Sequence, residues 1–75
     1  METIKGFDYQ GRECHLVFKR TGAPIQKGEV LEDFRGDIAR ILSGTPPHKP
    51  SSTGKVSTSA GEYYPGVFNC EWKRR

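Results

Sequence analysis

No apolar run in this 75-residue chain approaches the roughly 18 residues that a membrane-spanning helix needs. A helical span is therefore excluded, and no membrane partner is expected. Met1 to Gln10 holds no apolar stretch either, so no secretory leader is expected and a cytoplasmic location is. Cysteine is scarce. Cys14 and Cys70 allow at most one bridge, which excludes a disulfide framework. Large apolar residues are few as well, with a hydrophobic fraction of 33%. A chain this short buries only about 60% of its unfolded surface, so one small domain with a thin core is expected.

Acidic residues are missing from Ser43 to Gly61, and the charge is unevenly spread. Met1 to Leu42 carries seven basic and seven acidic residues and is neutral. Ser43 to Arg75 carries five basic and two acidic residues, which supplies the whole net charge of +3. Three of those five form the terminal run Lys73-Arg74-Arg75, shorter than the basic clusters that mark nucleic-acid patches.

What is present is mostly strand-like. Ile4–Tyr9 and Glu13–Lys19 are expected to pair as a hairpin across Gln10-Gly11-Arg12. Cys14, Leu16 and Phe18 alternate with His15, Val17 and Lys19, the period-2 pattern of a half-buried strand. Thr21-Gly22-Ala23-Pro24 then forms a turn. Near the other end, Tyr63-Tyr64-Pro65-Gly66 is a turn with an aromatic entry. Val67–Trp72 is expected as a closing strand with Phe68, Cys70 and Trp72 on one face. Phe18, Phe68 and Trp72 are the expected core.

The stretch Glu29–Leu42 supports two readings. Val30, Leu31, Phe34, Ile38, Ile41 and Leu42 fall within an arc of about 120° on a helical wheel, which predicts an amphipathic helix and an α+β fold. Two strands, Glu29–Phe34 and Ile38–Leu42, fit the same residues, with Gly36 in a left-handed turn position. Gly36 would cost about 1 kcal/mol inside a helix, and no Ser, Thr, Asp or Asn stands just ahead of Glu29 to cap one. Beyond it, fourteen of the nineteen residues from Ser43 to Gly61 are Ser, Thr, Pro or Gly. This composition predicts a long mobile loop, with Lys55–Thr58 as an edge strand.

Gly28-Glu29-Val30 with Asp33-Phe34-Arg35-Gly36, then Pro46-Pro47-His48-Lys49-Pro50, Ser52-Thr53-Gly54-Lys55-Val56 and Tyr64-Pro65-Gly66-Val67-Phe68, resemble small phage-type or mobile-element proteins of unknown function. The resemblance spans about residues 28–72. The first part also resembles, faintly, the glycine pattern of small SH3-like barrels of the KOW type. These resemblances imply β structure at Glu29–Leu42 and imply no chemistry. They favour the hairpin. The expected fold is therefore mostly β: a small SH3-like barrel or a twisted antiparallel sheet with a long mobile loop.

No catalytic pattern emerges. Cys14, His15, His48 and Cys70 are the soft metal ligands, but adjacent strand residues face opposite ways, and the cysteines share faces with core residues. Gly54-Lys55 is followed by Val56, so the phosphate-loop pattern fails. Glu32, Asp33 and Asp37 are expected on a solvated face, and Arg35-Gly36-Asp37 is expected as a turn. Neither enzyme activity nor a cofactor or metal is expected. The remaining candidate is a binding surface: His48, Lys49, Lys55, Tyr63 and Tyr64, cations interleaved with aromatic platforms. The leading expectation is an accessory nucleic-acid-binding protein. The alternative is an adaptor or inhibitor that binds a host protein, with the proline-rich segment as the gripped element.

Overall fold

The structure, a computed structural model, describes residues 2–74. Among the described residues, seven strands follow one another: β1 (Lys5–Phe7), β2 (Glu13–Phe18), β3 (Val30–Glu32), β4 (Ile38–Thr45), β5 (Lys55–Thr58), β6 (Gly61–Tyr63) and β7 (Cys70–Arg74). A single 3-10 turn, Pro65–Phe68, precedes β7. The strands form two antiparallel sheets, β1-β2-β7 and β3-β4-β5-β6. The fold is mostly β, and the helix weighed for about residues 29–42 is not formed.

Both sheets bury their apolar faces in one cluster, which includes Ile4, Leu16, Ile25, Leu31, Ile41, Val56 and Phe68. Phe18 and Trp72 pack against it while half-buried. Ile25 is fully buried, although it stands as a lone apolar residue in a turn-rich stretch. Its N–H donates to the Leu16 carbonyl, and its own carbonyl accepts from Ile4. The connection between β2 and β3 is thus sewn into the first sheet.

The two hairpins close with the same device. Asp8-Tyr9-Gln10-Gly11-Arg12 and Asp33-Phe34-Arg35-Gly36-Asp37 share an aspartate, an aromatic and a left-handed glycine, with φ 75° at Gly11 and 88° at Gly36. The Asp8 carboxylate accepts the N–H groups of Gln10 and Arg12, both at 2.9 Å. The Asp33 carboxylate accepts those of Arg35 and Asp37 at the same distance. Each aspartate thereby satisfies backbone donors that the turn leaves unpaired. Asp33 does not belong to a solvated acidic face: its side chain folds inward, while Glu32 and Asp37 remain exposed.

These bonds set a pH dependence. The Arg12 N–H is the largest influence on Asp8. With the Gln10 N–H and the Arg12 and Arg74 cations, it outweighs the opposing effect of burial, so the pKa is lowered from 3.8. Burial works to raise Asp33, but the N–H groups of Asp37 and Arg35 and the Arg35 cation prevail, and it too is lowered. The unfolded chain therefore takes up protons first as pH falls below 3.8. The stabilisation is complete above that pH and is lost as pH falls through the folded-state values. Denaturant midpoints measured from pH 6 downward should fall in this acid range, and an Asp8→Asn/Asp33→Asn variant should show a shallower fall.

Residues 43–61 are more ordered in pattern than their composition predicts. β4 runs on through Ser43-Gly44-Thr45, and β5 lies between β4 and β6 rather than at an edge. A register shift between Ile41 and Ser43 marks a bulge in β4, which lets this strand continue past the core. The irregular part is confined to residues 46–54, and even there Pro46 is buried against Gly6. The closing strand also starts later than alternation suggests, because Val67 and Phe68 lie in the 3-10 turn.

Cys14 and Cys70 are both free and buried. They sit on neighbouring strands, but the register pairs Cys14 with Arg74 and Phe18 with Cys70. Four residues of strand, about 13 Å, separate the two positions, too far for a bridge. Burial, reinforced by Glu29, pushes the Cys70 thiol up to about 12. Burial and the Asp8 charge raise Cys14 as well. Both are packing residues held as thiols.

Candidate functional site

The turn after β6 decides which tyrosine faces solvent. Tyr64 is extended, with φ −74° and ψ 146°, and Pro65 follows as the first residue of the 3-10 turn, where its fixed φ fits. Asn69 ends the turn in the left-handed region at φ 58°, and its N–H returns to the Gly66 carbonyl at 3.2 Å. Phe68 is thereby directed into the core, where Tyr63 meets it edge to face at 5.8 Å between centroids. The Tyr63 hydroxyl donates to the Ala60 carbonyl at 3.3 Å. Tyr63 is thus a packing residue, whereas Tyr64 is 62% exposed.

Lys55 Nζ lies 5.9 Å from the Tyr64 ring centroid and 3.5 Å from Glu62 Oε1. The structure therefore brings Lys55, Tyr63 and Tyr64 together in one shallow hollow with Glu62 and Val67. His48 and Lys49 are exposed on the β4–β5 loop and do not line that hollow. The neighbouring Glu62 offsets the Lys55 charge, which sequence order alone did not indicate.

A second feature adjoins Tyr64. A cleft of about 340 Å³ runs between Pro47, Ser52 and Thr53 of the loop and Tyr64, Pro65, Gly66, Cys70 and Trp72. Lys19 and Glu71 complete its lining with opposite charges. The loop wall is held in place: the Pro47 carbonyl accepts the Tyr9 N–H at 3.1 Å, and the Ser52 hydroxyl accepts the Gly54 N–H at 3.1 Å. Pro46 and Pro47 are therefore used within the chain, one as a buried contact and one as a cleft wall. Lys19, Glu71 and Trp72 did not stand out as site residues, and Pro47 did so only within the proline-rich segment expected to be gripped, because three distant segments supply this lining. The Tyr64-Pro65 pair carried a signal of its own, an aromatic next to a rigid turn.

The Trp72 indole closes the inner end of this region. It lies across Gly44 and Gly54, and a Cβ at either glycine would come within 2.6 Å or less of the ring. Comparison with family models, curated proteins and solved structures finds no match, so the site stands on its own geometry.

Proposed function

We propose that this chain is a small non-enzymatic accessory domain that receives an extended polypeptide segment in the cleft beside Tyr64. The observation that carries this reading is the lining: Pro47, Tyr64 and Trp72 around about 340 Å³, backed by the buried Pro65, with one cation and one carboxylate. Aromatic and proline walls favour a segment in polyproline-like conformation, which loses little entropy on docking. Lys19 and Glu71 would orient such a segment by its charged residues. In this reading the partner is a host protein. A small SH3-like barrel belongs to the same proposal, supported by two antiparallel sheets around a shared core.

A second reading, single-stranded nucleic acid, is favoured by the open face of Tyr64 with Lys55 beside it and Lys49 on the loop. Glu62 and Glu71 weigh against it, since carboxylates beside the path repel phosphate.

Titration with proline-containing peptides and with oligonucleotides, at low and high salt, separates the two readings. Peptide binding should show weak salt dependence, and Tyr64→Ala should weaken it by more than about tenfold while leaving the melting temperature nearly unchanged. Steeply salt-dependent oligonucleotide binding, abolished by Lys49→Glu/Lys55→Glu, would replace this reading with the second. Amide shifts that move at neither the cleft nor Tyr64 would sink both.

A further inference from the structure

Seven large apolar side chains are exposed among the described residues, and four of them belong to the second hairpin. Val30 is 47% exposed, Phe34 78%, Ile38 70% and Leu42 42%. Leu31, Ala39 and Ile41 alternate with them and fill the core. The hairpin therefore carries apolar residues on both faces, and among the described residues only the inner face packs on the core. Isolated exposed apolar residues need no explanation, but a cluster on one sheet face marks a contact surface.

The register shows what shape of partner this face fits. Val30 stands opposite Arg40, and Glu32 stands opposite Ile38. Paired residues share a face, so these four form a rectangle. Its one diagonal joins Val30 to Ile38, and its other joins Glu32 to Arg40. Neither Glu32 nor Arg40 has an ion-pair partner among the described residues. Arg40 donates to the Gly28 carbonyl at 2.8 Å through one guanidinium nitrogen.

We propose that this face binds a second copy of the same chain, about a two-fold axis lying along the Val30–Ile38 diagonal. Rotation about that line sets Val30 on the partner's Val30 and Ile38 on the partner's Ile38. The same rotation sets Glu32 against the partner's Arg40, and does so twice, as a closed two-fold contact requires. An axis along the strands would set Arg40 on Val30, and an axis across them would set Arg40 on Ile38. Either would bury a charge against an apolar side chain. Strands about 4.8 Å apart with a two-residue rise of about 6.8 Å put the diagonal about 35° from the strand direction. The two hairpins then cross at about 70°, close to the orthogonal mode of sheet packing. Self-complementary charge on an apolar face is what commits this surface to a second copy.

Sedimentation over a concentration series tests the proposal, with circular dichroism melting to confirm each variant's fold. The wild-type protein should pass from 8.4 kDa to twice that mass as concentration rises. Ile38→Lys should stay monomeric with an unchanged melt. Glu32→Arg and Arg40→Glu should each weaken the dimer by more than about tenfold, because each opposes like charges. An equimolar mixture of those two variants should dimerise again, and the double variant Glu32→Arg/Arg40→Glu should recover self-association. A wild-type monomer at every concentration would overturn the proposal. So would a dimer that survives Ile38→Lys, or a mixture no tighter than its separate components.

Discussion

Trp72→Ala should destabilise the protein by about 3–5 kcal/mol, the cost of removing a packed aromatic side chain. Domains of this size have about 5–15 kcal/mol in all, so the loss is a large share of the total. The indole does more than fill volume. It joins β7 to the β4–β5 pair by lying across Gly44 and Gly54, and it packs against the shared core. Its removal loosens one sheet from the other at the end where the cleft lies. Urea denaturation should show a lower midpoint. A smaller slope would add that the closing strand has already frayed in the native state. A variant that melts with the parent would show that β7 is not held by Trp72.

The two glycines beneath the indole should differ in a way that separates space from backbone conformation. At Gly44, a Cβ would lie 2.6 Å from Trp72 Cζ2, while the nearest backbone atom, the Lys55 carbonyl oxygen, stands at 3.1 Å. Gly44→Ala should therefore cost about 1–3 kcal/mol as overpacking, and most of that should vanish in a Trp72→Ala background. At Gly54, a Cβ would lie 2.5 Å from Trp72 Cδ1 and 2.6 Å from the Thr45 carbonyl oxygen, with φ at +79°. The left-handed backbone adds about 1–2 kcal/mol to the clash. Gly54→Ala should thus cost about 2–5 kcal/mol, and removing Trp72 should relieve only part of it, because the Thr45 carbonyl remains. A double-mutant cycle for each glycine measures the coupling directly. An equal residual cost of the two substitutions in the Trp72→Ala background would show that the Thr45 contact and the backbone strain carry no weight.

Much of the β architecture was legible in the chain. The alternation from Cys14 to Phe18 located β2, the central strand of its sheet, but burial does not follow it throughout: Val17, bridged to Pro24 on the opposite face, is buried, and Phe18 is half-buried. Gly11 and Gly36 announced the turns because only a residue without a Cβ takes φ near +80° at low cost. The helix-like arc at Val30–Leu42 misleads for an identifiable reason. A hairpin with apolar residues on both faces produces a near-continuous apolar set, and a helical wheel gathers that set into one stripe. Of its six members, only Leu31 and Ile41 are buried.

Other features were decided by tertiary structure alone. Ser, Thr and Gly composition suggested a loop from Ser43 to Gly61 with Lys55–Thr58 as an edge strand, yet β4 extends through Thr45, β5 lies inside its sheet, and Trp72 packs on Gly44 and Gly54 where there is no side chain. No local pattern could reveal that packing, since Trp72 is 18 residues beyond Gly54. The candidate site shows the same division. The sequence by itself determined which residue types were available: exposed lysines, a tyrosine pair and prolines that hold extended chain. Only the fold decided that Tyr63 turns inward on Phe68, that Glu62 offsets Lys55, and that Pro47 faces Tyr64 and Trp72 across a cleft. Local propensity acts over a few residues, whereas a cleft is assembled from segments whose proximity exists only once both sheets have closed on one core.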